Sequence, residues 1–111
     1  MTPESQRIAI AEACGWKLVT DNPCYEPYWE NPTGNMIAVS CGMRLPDYLN
    51  DLNAMHEAEK IFNHAQYCRY ISGLVSLTVA DNNSIFMATA AQRAEAFLRT
   101  IEKWTTNQNE V

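Results

Sequence analysis

Apolar residues recur every three or four positions in several parts of the chain, the pattern of a helix that buries one face. The first such part is residues 3–14, which follow Thr2 as a helix cap and begin with Pro3, a residue suited to the first helical position. A second spans residues 51–62 and a third spans residues 90–103. The pattern therefore predicts three amphipathic helices.

The third helix carries the clearest end signal. Thr89 and Gln92 have the spacing of a capping box, in which each side chain satisfies a backbone amide of the other residue. Glu95 precedes Arg99 by four residues, the favourable order for an ion pair along a helix. The apolar stripe predicted to be buried consists of Ala90, Ala94, Phe97, Leu98 and Ile101.

Shorter apolar runs between these helices predict strands. Residues 16–20 alternate apolar and polar side chains, and residues 36–41 form a second, more apolar run. The connection over residues 21–35 is rich in proline and asparagine, with room for a short strand at residues 28–30. Residues 85–87 are expected to form a last strand or an arm that fills the core.

The stretch that follows Asn63, a second helix-capping residue, keeps helical spacing at first. From Leu74 to Val79 it is rich enough in β-branched residues for either a helix or a strand, and Gly73 permits a break. The elements together predict an α+β fold, a small β-sheet packed by about three to four helices in an αβα sandwich-like arrangement. We expect one domain over residues 1–104 and a frayed polar tail over residues 105–111.

Composition narrows the classes of function. A chain of 111 residues with 47% apolar residues suits one domain, and a net charge of −5 argues against a partner of duplex nucleic acid. No run approaches the length of a membrane span, and the first residues lack a signal peptide pattern. The cysteines at 14, 24, 41 and 68 form no CxxC pair, which favours reduced thiols in a cytoplasm.

Candidate catalytic and metal-binding residues all have simpler interpretations. The position four residues after His56 is Lys60, so the zinc-binding helical pair is incomplete, and His64 follows a predicted break. Asp47 and Asp51 flank a helix entrance, where capping explains them better than acid–base chemistry. We therefore expect no metal, no cofactor and no catalytic residue.

The connection before the second predicted strand holds the strongest candidate binding feature. Tyr25, Tyr28 and Trp29 lie within five residues, beside two prolines that stiffen the backbone. Such rings can stack on a base or on a partner side chain, or they can cover a sheet edge as part of the core. Arg44 can bind a phosphate or be solvated in its turn.

Three stretches of the chain carry a resemblance. Residues Thr2–Lys17, Pro46–Lys60 and Ala88–Trp104 resemble a family of small tailed-phage proteins described as a phage α-β-α (ABA) sandwich domain. The departures fall in residues 21–35 and 63–87. The resemblance implies a bacteriophage protein made in the host bacterial cytoplasm, and it supplies no catalytic residues.

These observations lead to a hypothesis of a non-enzymatic binding protein. The leading version is a counter-defence sponge that sequesters a nucleotide-derived immune signal. The residues assigned to the ligand are Tyr25, Tyr28 and Trp29 for stacking, Arg44 for phosphate, and Tyr48, Asn50 and Asn53 for polar contacts.

Two other hypotheses remain open. A protein–protein inhibitor, which would bind a host enzyme or defence factor through an acidic and aromatic surface, fits the net charge of −5 more naturally. A small hydrolase would use Asp47, Asp51 and His56.

The apolar content also predicts a homo-oligomer, with two-fold symmetry as the simplest arrangement. A domain of this size has limited room for large aromatic side chains, although all of them could fit inside one monomer. The aromatic residues expected to contribute to the surplus are Trp16, Tyr67, Tyr70, Phe86 and Trp104.

Overall fold

The computed structural model describes residues 1–21, 23–24, 27–33, 36–37 and 45–105, with backbone alone at 36–37. Four predictions fall outside these residues. They concern the ring of Tyr25, the guanidinium of Arg44, the strand after residue 37 and the tail after residue 105.

The described chain forms four α-helices, three short strands and one 3₁₀ turn, which confirms the α+β class. The strands make an antiparallel sheet in the order β1-β2-β3, so each strand pairs with its neighbour in sequence. The helices are α1 (Pro3–Ala13), α2 (Leu52–Glu59), α3 (His64–Ala80) and α4 (Ala90–Thr100), the strands are β1 (Lys17–Val19), β2 (Tyr28–Glu30) and β3 (Met36–Ile37), and the 3₁₀ turn is Ile85–Met87.

The predicted helix starts are confirmed by their side-chain hydrogen bonds. Thr2 accepts a hydrogen bond from the Ser5 amide at the start of α1. Asn63 begins α3 with a full capping box, and Thr89 does the same at α4, where the Gln92 side chain accepts from the Thr89 amide.

The core lies between the helices, with α4 in contact with the other three. No strand residue whose side chain the structure describes is among the buried ones. The sheet therefore lies beside the helical core. The buried apolar residues are Ile10, Ala11, Tyr48, Met55, Ala58, Tyr70, Leu74, Ala88, Ala90, Ala94, Ala96, Phe97 and Leu98.

A tight turn at Gly15 leads from α1 into β1. Gly15 has φ = +100°, which favours glycine, and a Cβ placed there would lie 3.3 Å from the Cβ of Pro32. Pro32 follows β2 in the chain, so this close approach fixes how the sheet leaves the first helix.

The structure settles the segment that the sequence left open. Residues 74–79 are helical, because Leu74 and Thr78 bury their side chains while α3 packs along α4. The expected strand or core-filling arm at residues 85–87 is a 3₁₀ turn instead. Ile85 packs against the core, whereas Phe86 is 90% exposed, since a single short turn can direct only part of its side chains inward.

Candidate functional site

The sheet presents a small apolar face beside the helical core. Trp29 on β2 pairs with Leu18 on β1 and with Ile37 on β3, so the three positions share one face of the sheet. Leu18 is 44% exposed and Trp29 is half-buried. We call Leu18 and Trp29 the apolar sheet face.

Tyr28 and Trp29 do not form a single stacking surface. They are consecutive residues of β2, and successive side chains of a strand point to opposite faces. Tyr28 pairs with Val19 on the other face and is also half-buried. A flat ligand can therefore stack on one of these two rings, but not on both from the same side.

The sequence around the sheet is acidic. Residues 12–33 contain four carboxylates and one lysine, which gives −3 of the total net charge of −5. The field of this segment repels phosphate anions and attracts cationic groups. The residues that carry these charges are Glu12, Asp21, Glu26, Glu30 and Lys17.

Tyr48, predicted as a polar ligand contact, is a packing residue in the structure. It is 3% exposed, and its hydroxyl lies near the side chains of Cys14 and Trp16. Burial, together with the nearby Cys14 thiol, raises the pKa of Tyr48. Burial also raises the pKa of Cys14, which keeps this sulfur in its unreactive thiol form. No ligand reaches Tyr48 without a change in the packing around α1.

The polar residues near the start of α2 are held in a turn. Asn50 Nδ2 donates to Asp47 Oδ1 and Oδ2 at 3.3 and 3.1 Å, and Arg7 Nε donates to Asp47 Oδ1 at 3.0 Å. The hydrogen bond from Asn50, followed by the Arg7 guanidinium, lowers the pKa of Asp47. Asp51 caps α2 by accepting from the Asn53 amide at 2.9 Å. Both Asn side chains are at the surface, whereas the two carboxylates serve the helix entrance, as the capping interpretation predicted.

One cluster was not identified as a site from the sequence. Glu59 Oε2 accepts hydrogen bonds from Arg93 Nη1, at 3.2 Å, and from the Tyr70 hydroxyl, while its Oε1 lies 3.3 Å from His56 Nδ1. The Glu59 and Arg93 side chains are only 11% and 14% exposed. Burial, followed by the hydrogen bond to Glu59 and its charge, raises the pKa of Tyr70. The sequence held one signal that could have revealed this cluster: Glu59 is a carboxylate on the apolar face of α2.

The Glu59 cluster joins three helices. Glu59 lies on α2, Tyr70 on α3 and Arg93 on α4. The Phe62 ring packs over this region, 5.3 Å from the ring of Tyr70 and 4.8 Å from that of Phe97. A carboxylate that already accepts from a guanidinium and a phenol joins the helices that carry these groups, so the geometry indicates a structural clamp.

His64 and Cys68 form a pair on the surface of α3, with Nε2 and Sγ 3.7 Å apart. Among the described residues, no group of three or more His, Cys, Asp or Glu side chains is arranged to hold a metal ion. In the same part of the chain, no helix combines the length and apolar character needed to cross a membrane.

The structure therefore places the described candidate residues in two regions. Tyr28 and Trp29 belong to the sheet, and Tyr48, Asn50 and Asn53 belong to the entrance of α2. The resemblance to phage ABA-domain proteins stays a prediction. No protein-family model matches the chain, and neither a curated protein nor a solved structure matches it.

Proposed function

We propose that this chain is a non-enzymatic binding protein that holds a protein partner with a basic surface against the apolar sheet face. The observation that carries the proposal is the combination of a partly exposed Trp29 and Leu18 with an acidic surrounding sequence. Tryptophan is enriched among the residues that dominate protein interfaces, because it buries a large area at little entropic cost.

The carboxylates around the sheet would contribute mainly to recognition. With −3 in residues 12–33, a cationic partner surface is attracted before contact, and wrong acidic partners are repelled. Salt screens such exposed charges, so the association rate should fall as ionic strength rises.

The titratable side chains that a hydrolase would use are already held in local contacts, which supports a role without catalysis. Asp51 caps α2, Asp47 accepts from Arg7 and Asn50, and His56 lies against Glu59. These are the residues that a small hydrolase would have needed, and each contributes to local structure.

A nucleotide-sequestering sponge remains a second candidate. The half-buried rings of Tyr28 and Trp29 support it, since either can stack on a base from its own side of the sheet. Asn50 and Asn53 offer surface polar groups, and Arg44 would supply the phosphate contact. The acidic segment around the sheet opposes this candidate, because a phosphate must overcome its repulsion.

The setting of this function rests on the family resemblance. A phage protein in the host bacterial cytoplasm would have a host enzyme or a defence factor as its basic partner. We also propose that the chain acts as a homo-oligomer.

Capture from a bacterial lysate, read by quantitative mass spectrometry, tests the proposal with matched variants. Leu18 and Leu52 are both 44% exposed, but Leu52 lies on α2 and not on a strand. We expect Leu18→Arg and Trp29→Ala to reduce capture of one set of proteins by at least tenfold, and Leu52→Arg to retain it. The retained proteins should be basic, and their capture should weaken in high salt.

Calorimetry with a panel of cyclic and linear nucleotides distinguishes the two candidates. Suppose that the wild type binds a nucleotide, that Trp29→Ala abolishes this binding, and that the variants lose no protein in the capture experiment. The sponge would then be a better account than a protein partner. If the Leu18→Arg and Leu52→Arg variants capture the same proteins in equal amounts, the apolar sheet face is not the binding site. Steady chemical conversion of a bound nucleotide would overturn the non-enzymatic assignment.

A further inference from the structure

The helix α3 leaves one long face uncovered on the side away from α4. Its buried side chains, Tyr70, Leu74 and Thr78, lie on one side of the helix. The residues on the other side recur at steps of three and four, and all are exposed. They are Ala65, Cys68, Arg69, Ser72, Val75, Ser76 and Val79.

Exposed apolar side chains are also found on the 3₁₀ turn that follows the helix. The turn contacts α3, and its Phe86 and Met87 are 90% and 65% exposed, while Val79 at the end of α3 is 63% exposed. We call Val75, Val79, Phe86 and Met87 the α3 apolar surface. It is separate from the apolar sheet face and rests on the proposed homo-oligomer, for which it supplies the contact.

Charge is scarce along this side of the molecule. Of the 17 residues of α3, Arg69 is the only one with a formally charged side chain at neutral pH. An exposed helix of a globular domain normally places charged residues on its solvent face. Arg69 lies near the N-terminal end of this face, four residues after Ala65. From Ser72 to Val79 the exposed side chains of the face are small or apolar, and small side chains allow another helix to approach closely.

From these observations we infer that the α3 apolar surface is where two copies of this chain associate. A second copy fits this surface because it brings the same four apolar side chains, and a two-fold axis lets one patch serve both partners. Elsewhere, two copies that each carry −5 repel one another, which confines contact to this side.

The available area is consistent with a dimer. The four apolar side chains expose on the order of 450 Å², in the range of the largest apolar patches that single domains display. Adding the small residues earlier on α3 brings the contact toward the roughly 800 Å² per partner of a standard interface. Phe86 is the natural central contact, because it is the most exposed of the large apolar residues described.

Sedimentation equilibrium of the full chain over micromolar to millimolar concentrations measures the association. We expect the mass to rise from 12.6 kDa toward twice that value as concentration increases. Phe86→Ser and Val79→Lys should each weaken dimerisation at least tenfold. Neither should unfold the chain, because both side chains are largely exposed and a lysine in the last turn of a helix is favourable.

Two further readouts identify the surface. Alkylation of Cys68, on the same face of α3 as Val75 and Val79, should slow as concentration rises, while alkylation of the exposed Cys24 should not. Raising the salt concentration should strengthen dimerisation, because it screens the repulsion between two acidic chains.

Leu18→Arg is the control for the other surface and should dimerise like the wild type. The two proposals can therefore be refuted independently. Loss of partner binding at the sheet would leave dimerisation intact, and loss of dimerisation would leave partner binding intact. A constant mass of one chain up to millimolar concentration would overturn the inference. So would a dimer that both Phe86→Ser and Val79→Lys leave unchanged.

Discussion

Replacing Arg93 by methionine should destabilise the protein much more than a surface charge deletion does. Methionine keeps the aliphatic packing of the arginine stem but removes the guanidinium that binds Glu59 at 3.2 Å. It also removes the hydrogen bond from Arg93 Nε to the carbonyl of the buried Ala88. The Glu59 carboxylate then keeps Tyr70 and His56 as partners but loses its close cationic one.

The magnitude follows from the burial of the pair. Removing one member of a fully buried pair costs about 3–5 kcal/mol, and exposed pairs contribute about 0–1 kcal/mol. Since Glu59 and Arg93 are 11% and 14% exposed and therefore not fully buried, we expect a loss between these two ranges, about 2–3 kcal/mol. For a domain of this length, that corresponds to a fall in Tm of roughly 8–12 °C.

Urea unfolding followed by circular dichroism measures this loss. The control is Lys60→Met, because Lys60 makes a 2.9 Å ion pair with Glu57 in which both side chains are largely exposed. We expect that variant to lie within about 0.5 kcal/mol of the wild type. Adding Glu59→Gln to Arg93→Met should recover part of the stability, because it removes the uncompensated charge. A loss for Arg93→Met no larger than that for Lys60→Met would refute the clamp.

Three other perturbations test the packing. Because the pKa values of Tyr48 and Tyr70 are raised, the unfolded chain releases these protons near pH 10 while the folded chain keeps them. The free energy of unfolding should therefore fall above pH 10, by about 2.7 kcal/mol per pH unit for the two groups together. A free energy of unfolding in urea that stays constant up to pH 11 would contradict the burial of the two tyrosines. Gly15→Ala should cost about 1–2 kcal/mol in chemical denaturation, because φ is +100° and its Cβ would press on Pro32; an unchanged midpoint would show that the turn relaxes freely. Thr89→Ala should cost about 1 kcal/mol in thermal melts and the serine variant much less, and equal losses would count against the capping box.

Helix starts could be predicted because they depend on local chemistry. A side chain such as Thr2, Asn63 or Thr89 satisfies backbone amides two or three residues away, so its effect is contained in a few letters of sequence. The end of α3 could not be predicted in this way. Its β-branched residues suit a strand equally well. The helix goes together with burial of Leu74 and Thr78 in the core, a tertiary contact that local sequence does not reveal.

The site was harder to predict because its main features are tertiary. Tyr48 lies in a short turn without periodicity, so nothing local indicated that it would be buried beside Cys14. The partner of Glu59 is Arg93, 34 residues later, and only the folded chain brings them together. The separation of Tyr28 from Trp29 does follow from their adjacency in a strand, once the strand is established.

Hydroxyl-radical footprinting tests the proposed binding face most directly. The purified protein is oxidised alone and after incubation with bacterial lysate, and mass spectrometry then quantifies oxidation of each tryptophan. We predict that the lysate protects Trp29 at least threefold and leaves Trp104, which packs against the helical core, unchanged. Leu18→Arg should abolish the protection of Trp29. Equal oxidation of Trp29 with and without lysate, or protection that Leu18→Arg leaves intact, would contradict a protein partner on the apolar sheet face.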